Sequence, residues 1–584
     1  MNRFTFLLAR LMILFGIIVL PFQAFSFVIN PLDDVVLYDD ATDGILSYRI
    51  YQNQDGGNMY AEVKGVKNKE SGDYPIPSTI EYGFEIFDEV ENEWRLDTIE
   101  LEVKSIGHHA FSSTNIRNLE LPNTILYIGE QAFSFTRLLK RVDIPNSVIY
   151  IGEGAFESSG MESVSIPASV QYIGTMAFIP NNDNSNLKCI TVDENNPFYD
   201  SREDCNCIIR TADNVLISGS NNSFIPDGIT KIEKYAFCNC KSIASITIPS
   251  SVTHIGEGAF SECSSIESII IPNSVLAIEG WCFDYCSNLK NAQLGNSLEF
   301  IGHDAFSYTS IQEIVIPKTV REISGSLFKY APYLHKIEVE AGNRFYDSRE
   351  NCNAIIKTST NYLLDGCADK IPNTVKIIGP CAFAGRQCLN EVVIPNSVDS
   401  IGYLAFSQSR ATKVRIGNSV KSIGASCFRD CYDLQYVMIG EGVDFIDDYS
   451  FYNCALLTTV ICLAVDPPYI WNACNNFNGK KLYVPTAVHS IYNDHPFWHS
   501  NFPIILPLDD LRGDIDYDGK ISISDVTELI DKYFLAASFE SAYFNESSAD
   551  VDGDGFITIA DVVTLIDLLL NQDQEETEEQ TTNL

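Results

Sequence analysis

Met161-Glu-Ser-Val-Ser-Ile-Pro-Ala-Ser-Val-Gln-Tyr-Ile-Gly-Thr-Met-Ala-Phe178 is the stretch on which the fold of this 584-residue chain turns. Its apolar positions are Met161, Val164, Ile166, Val170, Ile173, Ala177 and Phe178. Val164-Ser165-Ile166 alternates and reads as a short strand, which Pro167 stops because it cannot donate to a continuing ladder. Gly174 marks a sharp turn before the Ala-Phe pair that fills the opposite wall. One such segment cannot bury seven apolar side chains by itself. Copies must therefore stack, with parallel strands about 4.8 Å apart.

The copies are present. Phe111, Phe133, Phe156 and Phe178 form one run, Phe237, Phe260, Phe283, Phe306 and Phe328 a second, and Phe383, Phe406, Phe428 and Phe451 a third. Every spacing within a run is 22 or 23 residues, a period that means a solenoid. The intervals of 59 and 55 residues between runs share an insertion, Asn196 to Cys207 and Asn343 to Ala354. The second run with its insertion thus reads as a larger duplication of the first.

Ile-Pro-Asn-Ser-Val-x-x-Ile-Gly-x-x-Ala-Phe, as at Ile144 to Phe156, resembles the leucine-rich repeats of the BspA-like, Treponema-type bacterial surface proteins. The resemblance covers Ser105 to Leu506 and implies a mainly β leucine-rich-repeat solenoid with an irregular or short-helical convex side. Lys481-Leu-Tyr-Val-Pro485, with Tyr492, Trp498, Phe502 and Ile504, is similar to that family's closing segment. Residues 27–104 look like its β-rich N-terminal cap. Membership implies adhesion or ligand binding outside the cell and names no ligand.

Composition agrees with an exported, acidic protein. The chain holds 39 Lys+Arg against 78 Asp+Glu, a net charge of -39 that repels phosphate backbones and anionic membranes and favours divalent cations. Residues 1–26 carry Arg3 and Arg10, the apolar run Leu11 to Leu20, and Ala24-Phe25-Ser26, the layout of a secretory signal. No other segment could span a bilayer. Of the 17 cysteines, Cys240, Cys263, Cys286, Cys431 and Cys454 each follow a repeat Phe by three. That recurring slot reads as a buried small apolar site rather than a disulfide framework.

Along each repeat strand the residue between the inward pair points out. In the early coils this position is polar, while later coils place Ile270, Val315, Val393 and Met438 there. These four define a candidate ligand face for an unknown protein or glycan.

The strongest chemistry lies near the C-terminus, where 20 Asp/Glu in residues 509–584 meet only Arg512, Lys520 and Lys532. Two twelve-residue loops begin at Asp514 and Asp550. The first sets Asp514, Asp516, Asp518 and Asp525 at positions 1, 3, 5 and 12; the second sets Asp550, Asp552, Asp554 and Asp561 there. Gly519 and Gly555 at position 6 allow the turn, and Lys520 and Phe556 offer a backbone carbonyl each. The pattern predicts two Ca²⁺ ions, with binding coupled to folding. Only the exiting helices are signalled, from Asp525 and Asp561 onward. Two loop-then-helix halves resemble a type I dockerin over Leu511 to Asn571, which implies a cohesin domain of a scaffold protein as partner. In that family loop positions 10 and 11 help choose the cohesin and frequently carry small hydroxyl residues; here they are Ile523-Ser524 and Ile559-Ala560, a departure at Ile523, Ile559 and Ala560.

No Gly-x-Ser-x-Gly, phosphate-binding Gly-rich loop or His-Glu-x-x-His occurs, and the solenoid leaves no room for a catalytic domain. His495 and His499 lack an intervening Glu to act as base. The expected organisation is a signal peptide 1–26, a cap 27–104, a solenoid with closing segment 105–506, a small all-α dockerin 507–571 and a disordered acidic tail 572–584. The expected function is noncatalytic extracellular binding or adhesion, with calcium-dependent docking to a cohesin-bearing scaffold, in a polysaccharide-degrading complex. An autonomous adhesin with a calcium-stabilised cap, or a polysaccharide-degrading enzyme component, are the alternatives.

Overall fold

The computed structural model describes residues 35–52, 59–67, 72, 74–88, 93–181, 187–470, 480–511, 513–515, 521–530, 549, 551 and 557–582. The expected signal segment 1–26 lies outside them. The chain divides into two units, residues 1–181 with 192–200, and residues 182–191 with 201–584.

In the first unit, Val35–Thr42, Leu46–Gln52 and Met59–Val66 form an antiparallel meander, and Met59–Val66 pairs in parallel with the end of the long strand Glu93–Ile106. Thr79–Asp88 lies antiparallel to that same strand over ten residue pairs. Its last residues, Ser105 and Ile106, pair with Tyr127 and Ile128, and the ladder continues through Tyr150–Ile151 and Tyr172–Ile173. The cap therefore hands its hydrogen-bonding edge directly to the first coil.

Each coil closes around apolar side chains. Val164 and Ile166 are buried and Ser163 and Ser165 exposed, the expected alternation. The second ladder, at Tyr172–Ile173 and its equivalents, is two residues long in each coil and too short to show as alternation. The repeat phenylalanines stack ring on ring: Phe111 to Phe133 at 5.2 Å, Phe133 to Phe156 at 5.1 Å, and, in the second unit, Phe237 to Phe260 at 5.1 Å and Phe406 to Phe428 at 5.2 Å. The ring spacing follows the strand spacing, so each Phe fills one layer.

The far wall of each coil is a chain of turns. His109, Phe111 and Ser113 donate their N–H groups to Glu130, Ala132 and Ser134 of the next coil, at 3.1, 2.8 and 2.8 Å. This geometry sets the residues two before and two after the Phe left-handed, at φ 55° for His109 and 58° for Ser113. For residues other than glycine that conformation costs roughly 1–2 kcal/mol each, offset here by the inter-coil hydrogen bonds.

The insertions terminate one ladder and start the next. Asn343 donates to the carbonyls of Pro317 and Val320 and accepts from the N–H groups of Phe345 and Tyr346, while the Tyr346 hydroxyl accepts from Ile323 N. In the first unit Asn196 and Tyr199 repeat these bonds against Pro167, Val170 and Ile173. The match carries the expected duplication. Gly366 lies flat on Phe383, where a Cβ would come 2.3 Å from the ring, and Gly219 does the same on Phe237 at 2.1 Å.

The Cys slot is buried, and its thiols bond backward: Cys263, Cys286, Cys431 and Cys454 each donate to the carbonyl of the preceding coil's Phe at 3.1 Å. No disulfide joins any two of the sixteen described cysteines.

The closing segment adds Lys481–Val484 and Ile504–Pro507 to the sheet of the third run. Tyr492 and Trp498, on two short helices, donate to the carbonyls of Ala464 and Pro468 at 2.8 and 3.1 Å. His495 caps the second helix, accepting from Trp498 N, and serves structure there. Beyond it, Ile515, Val526, Leu529, Val551, Val562 and Leu565 form a small separate core. The last helix, Ile559–Thr582, runs through most of the tail expected to be disordered. No Gly or Pro interrupts residues 559–582, and Gln and Glu favour helix.

Candidate calcium module and ligand face

The first loop of the C-terminal module ends at Ser522, whose side chain caps helix Ile523–Leu529 by accepting from Ser524 N. Asp525 completes the capping box. One of its carboxylate oxygens accepts from Ser522 N at 2.7 Å and the other from Ile515 N at 2.6 Å. The second loop repeats this: Asp561 accepts from Thr558 N at 2.6 Å and from Val551 N at 2.7 Å, and Thr558 accepts from Ala560 N. One residue thus begins the helix and holds the two ends of its loop together.

Asp514, Asp525 and Asp561 are fully buried. Burying a carboxylate is costly unless positive charge or hydrogen bonds compensate. Each position-12 oxygen that takes one N–H keeps lone-pair capacity for a further partner. The donor set, hard oxygen on a buried turn, fits a divalent cation. Asp516, Asp518, Lys520, Asp550, Asp552, Asp554 and Phe556 lie outside the described residues.

Because Ser522 and Thr558 start the helices at loop position 9, positions 10 and 11 fall on the first exposed turn. Ile523 is 78% and Ile559 64% exposed, and Ser524 and Ala560 are exposed beside them. Sequence reading missed the continuation of this surface along the second helix, where Val563, Ile566 and Leu570 are also exposed. Their spacing from Ile559, four, seven and eleven residues, was the available signal.

On the solenoid, Ile270 is 65%, Val315 48% and Val393 39% exposed. Met438 is 1% exposed, so its expected place on the solvent face is corrected. Leu463, Leu506 and Leu508 cover it, packing with Tyr436, Ile461 and Tyr483 over the outer side of the last strands. Near Val315 the sheet opens. Asn291–Gln293 joins Glu313–Ile316 through the single pair Asn291 and Glu313, whereas Glu313–Ile316 and Lys336–Val339 share four pairs. Ala292 stands where neighbouring strands place Ile269, Ile314 and Ile337, and too little side chain remains to hold the layers together. The gap is a pocket of about 400 Å³ lined by Gln293, Leu294, Val315, Pro317 and Glu340.

Stacked coils with a phenylalanine ladder and a C-terminal paired-loop module define a leucine-rich-repeat protein with an appended docking domain. The model of the BspA type leucine rich repeat region matches residues 85–209, 218–335 and 368–493 in six copies, and the chain belongs to that family. Residues 512–570 match the dockerin type I domain, a calcium-binding family whose partner is a cohesin. Several solved structures are similar, among them the following three. A leucine-rich repeat protein from Bacteroides ovatus is 22% identical over 73% of this chain and 94% of its own, at a TM-score of 0.35. A leucine rich cell surface protein from Faecalibacterium prausnitzii is 22% identical over 72% and 94%, at 0.37. The pneumococcal vaccine antigen PcpA is 16% identical over 81% and 99%, at 0.33. No curated protein matches.

Proposed function

We propose that this is a noncatalytic binding protein of the cell exterior whose repeats present a ligand face and whose dockerin attaches it to a cohesin-bearing scaffold. The attachment requires two Ca²⁺ ions, one in each loop, held by Asp514, Asp516, Asp518, Asp525 and the Lys520 carbonyl, and by Asp550, Asp552, Asp554, Asp561 and the Phe556 carbonyl. The cation supplies the positive charge that lets the loop carboxylates converge. Asp525 and Asp561 then link loop closure to helix start, so metal binding and presentation of Ile523-Ser524 and Ile559-Ala560 go together. One observation carries the reading: two large apolar side chains at equivalent positions stand in solvent on a domain whose own core is already filled. On the solenoid, Ile270, Val315 and Val393 form the ligand face, with the pocket beside Val315 at its centre. No helix among the described residues is long and apolar enough to cross a membrane.

The test is capture of the full-length protein on immobilised cohesins of several types, in Ca²⁺ and in chelator. Capture in Ca²⁺ that chelation abolishes, and that Ile559→Asp with Ile523→Asp also abolishes, is expected. Capture indifferent to chelator, or none by any cohesin, refutes docking and leaves the module as an acidic end cap.

A further inference from the structure

The junction between the second and third runs departs from the repeat in a way that builds a second, chemically different pocket. In the second unit the residue two before each repeat Phe is left-handed in Tyr235, Trp281, Asp304, Cys381, Leu404, Ser426 and Tyr449, but not in Ser326. The cause is Asp365, a buried residue of the hairpin that follows the insertion, in which Ala354–Lys357 pairs antiparallel with Tyr362–Gly366. Its carboxylate accepts from the Ser326 hydroxyl at 2.9 Å and from Leu327 N at 2.8 Å, whereas the residue before the Phe elsewhere donates its N–H within its own coil, as Ala382 does to the Gly379 carbonyl. The turn is drawn towards the hairpin, and Tyr362 and Leu364 of strand Tyr362–Gly366 become one wall of a cavity.

This cavity has a volume of about 310 Å³ and is lined by Asp304, Ser324, Lys329, Tyr362, Leu364 and Pro380, among others. That lies at the small end of the roughly 300–1,000 Å³ typical of ligand sites. Its lining is balanced in charge, with one carboxylate and one ammonium. Asp304 accepts from the Ser307 hydroxyl at 2.8 Å, and Lys329 sits 5.6 Å from the centre of the Tyr330 ring with no ion pair among the described residues.

These groups discriminate between ligand classes. An anion would meet Asp304 and, beside it, Asp284, while a cation would meet Lys329. Burial and the charge of Asp304 already push Asp284 up to about 7, so further negative charge is poorly received. A zwitterionic amino acid needs several charge-assisted donors for its carboxylate, and Lys329 is the one cation in the lining. Vicinal hydroxyls suit both charges, donating to the carboxylate and accepting from the ammonium. The Tyr362 ring with Leu364 and Pro380 suits the apolar C–H face of a pyranose ring.

We infer that the junction pocket between Asp304, Lys329 and Tyr362 binds one residue of a neutral sugar. It is separate from the sheet face proposed above and does not depend on the dockerin.

The experiment is saturation-transfer NMR and titration calorimetry on the full-length protein with methyl glycosides of glucose, galactose, mannose and xylose. Glucuronate, glucosamine and glycine serve as the charged arms. Saturable binding of at least one neutral glycoside is expected, weakened at least tenfold by Asp304→Asn and by Lys329→Met. Tyr362→Ala should weaken it as well. Melting curves of each variant confirm that the junction still folds, and a variant that does not melt like the parent is replaced by the other two. Absence of binding by all four neutral glycosides, preference for any charged arm, or full affinity in well-folded Asp304→Asn and Lys329→Met overturns the inference.

Discussion

Arg386 occupies the slot that in most coils holds a Cys, Ser or Thr three residues after the repeat Phe, and it is completely buried. Its guanidinium donates to the carbonyls of Phe328 at 2.8 Å, Ala331 at 3.1 Å and Gly366 at 2.9 Å, joining the second run, the hairpin that follows the insertion and the third run. Asp365 lies 3.7 Å away and is equally buried. Burial pushes Asp365 up and Arg386 down, and each charge opposes the shift of the other. Arg386→Met keeps most of the stem volume but strands the Asp365 charge. Phe328 O still receives Ala331 N, so the main loss is the broken buried pair, about 3–5 kcal/mol. Without Arg386 the Asp365 pKa stands further above its unfolded value, so the variant should lose stability as pH rises from about 4 towards 8. Adding Asp365→Asn removes the stranded charge and should recover part of the deficit, with a coupling energy of at least about 1 kcal/mol. The first junction holds Ser218 and Cys240 at the matching places, so the pair strengthens this joint without being needed to form one. Solenoids open locally, so the assay is hydrogen exchange of peptides covering 320–335 and 360–390, alongside urea unfolding. An Arg386→Met deficit below about 1 kcal/mol, or a double variant as unstable as the summed singles, would refute the reasoning.

Asp284 gives a pH prediction of the same sign. With its folded pKa pushed up to about 7 by burial and by Asp304, the native state holds a proton that the unfolded chain releases, so stability falls as pH rises between about 4 and 7. Asp284→Asn should raise the melting temperature at pH 8 and change it little at pH 4; an equal effect at both, or none at pH 8, contradicts this. On the sheet face, Val315→Asp and Val393→Asp should leave melting unchanged and abolish binding of any ligand that the repeats capture, and unaltered affinity would dismiss that face.

Much of this molecule follows from local rules. The 22- or 23-residue spacing of Phe111 to Phe178 requires stacking whatever the neighbouring structure, because one coil cannot bury its own apolar side chains. The Val164-Ser165-Ile166 alternation assigns inward and outward faces correctly for the strand it describes. Likewise Ser522 and Asp525, three apart, announce helix start and loop closure together. Two-residue ladders such as Tyr172–Ile173 escaped because they carry less than one period of alternation, and the left-handed turns because residues as different as His109 and Tyr235 adopt them.

Sequence alone determined the coil, its layer spacing and the two acidic loops, since each is written in residues within a couple of dozen positions of one another. Only the tertiary structure decided the fate of individual surface positions. Met438 alternates like Val315, yet Leu506 and Leu508 return from the far side of the closing segment to bury it. Asp365 distorts the turn at Ser326 and pairs with Arg386 across a junction that follows no period. Periodicity reports what every coil shares, whereas the burial of Met438 and the walls of the junction pocket depend on contacts made once, between segments far apart in the chain.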